Sequence, residues 1–221
     1  MSKTEDGRTK SPRPSSLPNL AGFDGDRLET GGDYDGIAFA DLDFTGHDAA
    51  DARFLECRLE RCCVEGLSAR RVRVVSCQLV DLYGATVDFS DSTWRDSQMR
   101  GGRLGAMMLP GATLTGVRLR GIKAGFVSLA GARLEDASFE ECEIGSLDAR
   151  SAQLRSVAFP DCTVQELNVA EATLEKVDLS GAKLRALVGI ESLRGAIVGQ
   201  DQLVDLAPLF AAQLGIEVRS D

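Results

Sequence analysis

Counting back in fives from Leu184 to Phe39 gives thirty positions, and none of them holds a charged or polar side chain. Twenty-five carry Phe, Leu, Val, Ile, Met or Trp; the other five are Ala49, Ala69, Gly84, Ala124 and Ala149. Two residues before each of these centres comes a second slot, mainly small or apolar, as at Cys57, Val72, Val117, Ala132, Ala152 and Ala182. The other three positions of each unit carry nearly all the charge. Neither a helix (period about 3.6 residues) nor a strand (period about 2) keeps both slots on one face for so long, whereas a chain that turns a corner every fifth residue does.

Units such as Ala132-Arg133-Leu134-Glu135-Asp136, Val177-Asp178-Leu179-Ser180-Gly181 and Ala182-Lys183-Leu184-Arg185-Ala186 carry a small residue, then Leu or Phe, then two polar residues. Over residues 37–186 the chain resembles the pentapeptide-repeat family. The resemblance implies an all-β fold: a right-handed quadrilateral parallel β-helix in which four units make one coil. Thirty units then give about seven and a half coils, and at ~4.8 Å between paired strands the rod is roughly 36 Å long. Residues twenty apart would stack, and centres ten apart would face each other across the interior. On that geometry Trp94 lies opposite Gly84, with Gly102 close by between Leu82 and Ile122 in the neighbouring column, so the small residues make space for the large one. Each Ala or Gly centre also has a bulkier residue two positions earlier: His47, Leu67, Leu82, Ile122 and Leu147.

The two ends break the pattern. Met1 to Gly36 is rich in Pro, Ser, Gly and charge, which predicts a largely disordered segment. Its second half, with Leu20, Phe23, Leu28 and Tyr34, either stays solvated or packs across the first coil as a cap. Beyond Leu184 the centre slot holds Gly189, Arg194 and Gly199, so the β-helix ends near Leu187 or Val188 and residues 187–221 form a C-terminal cap. Leu203, Leu206, Phe210 and Leu214 recur at helical intervals and predict a short helix over about 202–214, with Asp201 as N-cap, Gly215 as stop and Pro208 kinking or dividing it. These four leucine and phenylalanine side chains cover the last coil, join two copies of the chain, or do both.

Composition narrows the function classes. With 34 acidic against 25 basic residues, the net charge of −9 disfavours direct binding to nucleic acid or to an anionic membrane surface. No stretch approaches the ~20 apolar residues of a membrane helix, and the polar N-terminus offers no signal-peptide core. A reducing cytoplasm is the expected location, and the six cysteines are expected as thiols. Cys57, Cys62, Cys77, Cys142 and Cys162 take the inward slot, where a cysteine acts as a small hydrophobe, and Cys62-Cys63 lacks zinc-site spacing. His47 is the sole histidine and also takes that slot. Gly101-Gly102-Arg103-Leu104-Gly105 lacks the Gly-Lys-Ser/Thr ending of a phosphate loop, and the acids Glu135-Asp136 and Glu140-Glu141 point outward. The reading is of a non-enzymatic protein with no cofactor and no metal.

What remains is surface. Met108, Pro110, Phe126 and Ala130 take outward slots in a charge-poor stretch rich in glycine, and mark an expected docking surface for a protein partner of unknown identity or a second copy. The resemblance adds a further alternative. Some members of the quinolone-resistance group resemble duplex DNA in width and charge and bind DNA gyrase, often as homodimers joined at their C-terminal ends. Such mimicry needs continuous acidic stripes, yet residues 37–186 hold 22 acidic and 18 basic side chains. The most acidic face interleaves Asp48, Asp51, Asp88, Asp91, Asp148 and Glu171 with Arg70, Arg71 and Arg150, which predicts a neutralising ladder.

Overall fold

In the computed structural model, which describes residues 17, 19–213 and 215–217, the five-residue units wind into a four-sided solenoid whose strands pair in parallel, residue i beside residue i+20. The first face carries the centres Phe54, Val74, Trp94, Leu114, Leu134 and Leu154 in one ladder. The second stacks Phe39, Leu59, Leu79, Met99, Leu119 and Phe139. On the third, Gly84, Leu104, Ala124, Ile144, Val164 and Leu184 follow one another; on the fourth, the inward residues Val87, Met107, Val127, Leu147 and Leu167 do so. Both inward slots are buried almost throughout, so each unit contributes two side chains to one continuous core. Like residues meet along a column, as where the rings of Phe139 and Phe159 stack at 5.0 Å. Two interior voids of about 20 and 10 Å³ have wholly apolar walls, so the lumen is a packed core and not a channel.

The solenoid makes about nine turns and not seven and a half, because strands outside the thirty units join it at both ends. Asp33–Asp35 pairs with Arg53–Leu55 in the regular register, and Ala21–Gly22 pairs with Ile37–Ala38 at a separation of 16 residues. At the other end Ala196–Ile197 pairs with Val177–Asp178 at a separation of 19. Both out-of-register pairings satisfy backbone groups at an open strand edge, which any side chain allows, so the repeat phase does not reveal them.

At the N-terminal end Phe23 lies 4.7 Å from Phe39, ring to ring, and Tyr34 stacks on Phe54 at 5.0 Å. Leu28 is buried, and its backbone N–H points at Nδ1 of His47, 3.3 Å away. The sole histidine thus receives the incoming chain. Residues 1–16 and 18, which fall in the segment expected to be disordered, lie outside the described residues.

At the C-terminal end the strand Lys183–Val188 closes the third and fourth faces, a 3-10 turn follows at Ile190–Ser192, and helix α1 spans Gln200–Gln213. Asp201 therefore sits in the first turn and is not the cap. A single helix runs through Pro208, where division into two was one expectation. The proline lacks only its own N–H, and the carbonyl it leaves unmet belongs to Val204, a residue 70% exposed and open to water.

The corners decide which residues face outward. Most use a left-handed residue just after each outward slot: Gly or Asp, which tolerate positive φ, stands at many of them, as at Asp41, Asp91 and Asp136, while Glu56, Arg61, Arg71, Ser76 and Lys176 are held there by the coil. The third-to-fourth corner starts the same way at Gly46 and Gly66 and then changes: Thr86, Ala106, Phe126, Ser146 and Glu166 do not have positive φ. A β-branched or aromatic residue belongs at such a corner and not at a left-handed one. The change occurs at Gly84, where an added Cβ would lie 2.8 Å from the Glu65 amide nitrogen and 3.1 Å from the Val64 carbonyl carbon. Its requirement for glycine comes from the rung below, not from Trp94 across the coil as the spacing suggested. The same holds for Gly102, whose Cβ would meet the Leu82 carbonyl oxygen at 2.4 Å.

Candidate functional site

The altered corner builds the surface around Phe126. Phe126 stands between Ala106 and Ser146 on the fourth face, and Met108 beside Ser128 on the same sheet. Met108, Pro110, Phe126 and Ala130 are each half-buried. Beside them Gly105, Gly125 and Gly145 form a bare column, since a Cβ at each would strike the carbonyl oxygen of the rung below at 2.5, 2.8 and 2.4 Å. Bare backbone thus separates Phe126 from the next column outward, Tyr83, Arg103, Lys123 and Glu143. Tyr83, not singled out by its sequence position, is 49% exposed.

The acids of the fourth face serve the corners. Asp48, Asp88 and Asp148 each accept the backbone N–H of the residue two positions on, at 2.9, 2.9 and 3.2 Å, and Asn168 does the same at 3.0 Å. Asp148 also takes two guanidinium bonds from Arg150 at 2.8 Å, which hold its carboxyl below the ordinary range while burial pulls the other way. Arg71 grips Asp51, one rung below, through Nε and Nη2 at 2.8 and 2.7 Å. Arg61 holds Asp41 in the same manner, Arg53 holds Asp33, and Lys123 meets Glu143. These are mostly exposed pairs worth about 0–1 kcal/mol each. Their consequence is electrostatic: acids and bases alternate up the columns, and no unbroken acidic stripe forms along the fourth face. On the second face Arg120 pairs with Glu141 at 2.7 Å, and Arg118 lies 3.1 Å from Glu140.

The cysteines lie where the spacing put them. Cys57 and Cys77 stack on successive rungs, as do Cys142 and Cys162, each pair bridged by a backbone N–H to the neighbouring sulfur at 3.4 Å. All six are thiols. Cys77 and Cys162 are held protonated, first by the sulfur stacked beside each and then by burial. Burial likewise raises Cys62. Cys63 alone is partly exposed, its sulfur 3.4 Å from the Thr45 hydroxyl. Among the described residues no three His, Cys, Asp or Glu side chains gather as a metal site would need.

The C-terminal end carries the strongest departure from a polar surface. Val188, Ile197, Leu203, Val204, Leu209 and Ile216 are all substantially exposed, and Tyr83 is the one other large apolar residue so exposed among the described residues. Of the helical positions picked out by periodicity, Leu206 is buried, Phe210 half-buried and Leu203 51% exposed, while Leu214 lies outside the described residues. Val204 and Leu209 fall outside that periodicity and were not expected. Nor was Gln202, which ties α1 to the solenoid: its amide donates to the carbonyls of Leu179 and Ala182 at 2.7 and 2.6 Å and accepts the Gly199 N–H at 2.7 Å. No described helix is long and apolar enough to cross a membrane.

No family model and no curated protein matches the chain in sequence. Solved structures do. HetL, a pentapeptide repeat protein involved in heterocyst differentiation regulation from the cyanobacterium Nostoc sp. strain PCC 7120, is 18% identical over 80% of this chain and 93% of its own, with a TM-score of 0.47. A trypsin-treated variant of QnrB1, a plasmid-mediated fluoroquinolone resistance protein, is 16% identical over 90% of this chain and 95% of its own, with a TM-score of 0.40. Full-length QnrB1 is 16% identical over 88% and 95%, with a TM-score of 0.26. At such identities the likeness concerns the fold alone, and the assignment rests on the thirty units and the twenty-residue coil of this molecule. The chain is a β-solenoid of five-residue units, twenty residues to the coil, closed by a C-terminal helix.

Proposed function

We propose that the chain is a non-enzymatic pentapeptide-repeat scaffold that binds another protein, and that two copies join as a homodimer through their C-terminal ends. The observation that carries this is the concentration of exposed apolar side chains at one end, from Val188 to Ile216. Large apolar patches on a water-facing surface mark interfaces, and covering a Leu, Ile or Val side chain stabilises by about 1.5–3 kcal/mol when burial is complete. Free thiols fit a reducing, cytoplasmic setting.

The test is light scattering on the purified chain. Wild type should show twice the mass of one chain, and Val204→Asp should weaken self-association about tenfold or more, since it places a charge where an apolar contact forms. A monomer at about 100 μM would overturn the dimer. The surface around Phe126 serves as the partner face: Phe126→Asp should lower capture of a partner while leaving self-association intact. DNA mimicry toward gyrase demands an acidic stripe, and the fourth-face acids are engaged at corners and by arginines. A supercoiling assay with purified gyrase should therefore show neither inhibition nor protection; either effect would favour the mimic over this reading.

A further inference from the structure

The arginines of the solenoid divide into two sets. Arg53, Arg61, Arg71, Arg120 and Arg150 are engaged by acids on their own or neighbouring rungs. Six exposed arginines of the repeat units make no side-chain hydrogen bond or ion pair with a described residue: Arg100 on the second face, Arg103 and Arg185 along the third, and Arg73, Arg95 and Arg133 on the first, which holds the largest set. Arg73 and Arg133 share a column through Thr93 and Thr113, and Arg95 stands in the next column beside Thr115. With ~4.8 Å per rung, Arg73 and Arg133 are about 14 Å apart, with Arg95 between them. The upper half of this face also holds a groove of about 290 Å³, walled by threonines, Gln153, the bases Arg133 and Arg155 and the acids Glu135 and Glu175, so the unbalanced positive charge of the face lies below it, at Arg73 and Arg95, and at Arg133. Arg155 is shared between the two acids, 3.7 Å from Glu135 and 3.6 Å from Glu175, while from Arg73 to Arg133 the outward positions of the face carry no acid.

We infer that the first face is a docking surface for an extended acidic peptide segment of a partner protein, lying along the solenoid axis. Charge complementarity selects the occupant. Guanidinium forks match carboxylates in geometry as well as sign, and the threonine hydroxyls and the Gln153 amide between them suit a peptide backbone. The margins set the width. Exposed Asp91 follows the fourth face on one side, and Asp96 and Asp136 stand at the corner on the other. A single extended chain fits within the face, about 10 Å across for three residues of strand, whereas a duplex with phosphates on both strands overlaps those acids. The chain's net charge of −9 opposes an acidic partner at long range. Within a Debye length of about 10 Å at 0.1 M salt, the local arginines dominate. This surface is separate from both Phe126 and the C-terminal end, so it stands or falls independently of them.

The experiment measures anisotropy of a fluorescent peptide of alternating Glu and Ser, with the Gln-for-Glu peptide, duplex DNA of equal charge and inorganic phosphate as comparisons. Saturable binding of the Glu peptide, absent for the Gln peptide and weakening as salt rises from about 50 to about 500 mM, is expected. The Arg73→Gln, Arg95→Gln, Arg133→Gln triple variant should bind about tenfold or more weakly, since each lost charge contact contributes modestly. Arg95→Gln alone should weaken binding about threefold, which keeps the test decisive if the triple variant folds poorly. Arg100→Gln with Arg103→Gln, on other faces, and Phe126→Asp should leave binding unchanged. The inference is overturned by no saturation up to about 1 mM peptide, by an equal loss in the Arg100/Arg103 variant, or by tighter binding of the DNA or phosphate.

Discussion

Replacing Gly84 with alanine separates two accounts of why a glycine stands in a slot built for large apolar residues. Read across the coil, Gly84 leaves room for Trp94, and shrinking Trp94 should rescue the substitution. Read along the axis, the new Cβ lies 2.8 Å from the Glu65 amide nitrogen and 3.1 Å from the Glu65 Cα and the Val64 carbonyl carbon, all backbone of the rung below. Backbone held in a parallel ladder on both sides cannot swing aside as a side chain can. The rungs must part locally, and overpacking of this kind costs about 1–3 kcal/mol. For a domain of this size each kcal/mol lowers Tm by about 2–4 °C, so a drop of roughly 2–12 °C is expected in thermal melts followed by far-UV circular dichroism. Trp94→Phe has its own cost, losing the indole bond to the Ser92 hydroxyl at 2.8 Å and the edge contact with Phe89 at 5.1 Å between ring centres. On the along-axis account the two losses should add to within about 0.5 kcal/mol in the double variant, because the alanine strikes the rung below and the phenylalanine loses bonds to Ser92 and Phe89. Recovery of stability in the double variant would refute the along-axis account, as would an unchanged melt for Gly84→Ala alone.

Two further substitutions test the ends and the corners. Gln202→Leu removes three hydrogen bonds between α1 and the last coil, each worth about 1 kcal/mol, so amide exchange across Gln200–Gln213 should accelerate about tenfold or more while the middle coils keep their protection. Uniform exchange throughout would show that the helix is held some other way. Asp148→Asn should cost about 1–2 kcal/mol at neutral pH by weakening the charge-assisted bonds from Arg150. Because the folded carboxyl is depressed below its unfolded value near 3.9, the stabilisation is complete above that pH and disappears as pH falls through the lower folded value. Wild type should therefore lose more stability than Asp148→Asn between about pH 4 and about pH 2, and parallel acid limbs would contradict the assignment.

The five-residue period determined most of what this molecule is. Both inward slots recur without a slip from Phe39 to Leu184, and with the four-sided coil that the family resemblance implies, the stacking of Cys57 on Cys77 and the alternation of Arg71 with Asp51 follow from the sequence. The helix after the last coil was equally legible from Leu203, Leu206 and Phe210. Helical spacing nevertheless does not reveal which of these is covered: Leu206 is buried and Leu203 is not. Periodicity also passed over Val204, Leu209 and Gln202, whose roles depend on where α1 sits against Leu179 and Ala182.

Other features became visible only through contacts between rungs. Ala21–Gly22 and Ala196–Ile197 join the ladder at separations of 16 and 19 residues, so they obey backbone hydrogen bonding at an open edge and not the side-chain repeat, and with them the coil count rises to about nine. Gly84 and Gly102 read as space for Trp94, but a Cβ at either would strike the rung below. The freedom of Arg73, Arg95 and Arg133, against the engagement of Arg71 and Arg150, turns on which acid stands one rung or two residues away on a given column. The pattern along the chain determined which side chains face inward, because burial selects them one unit at a time. Which outward groups are satisfied, which glycines are obligatory and where apolar surface stays uncovered were decided by the tertiary structure, because each depends on distances between residues about twenty positions apart.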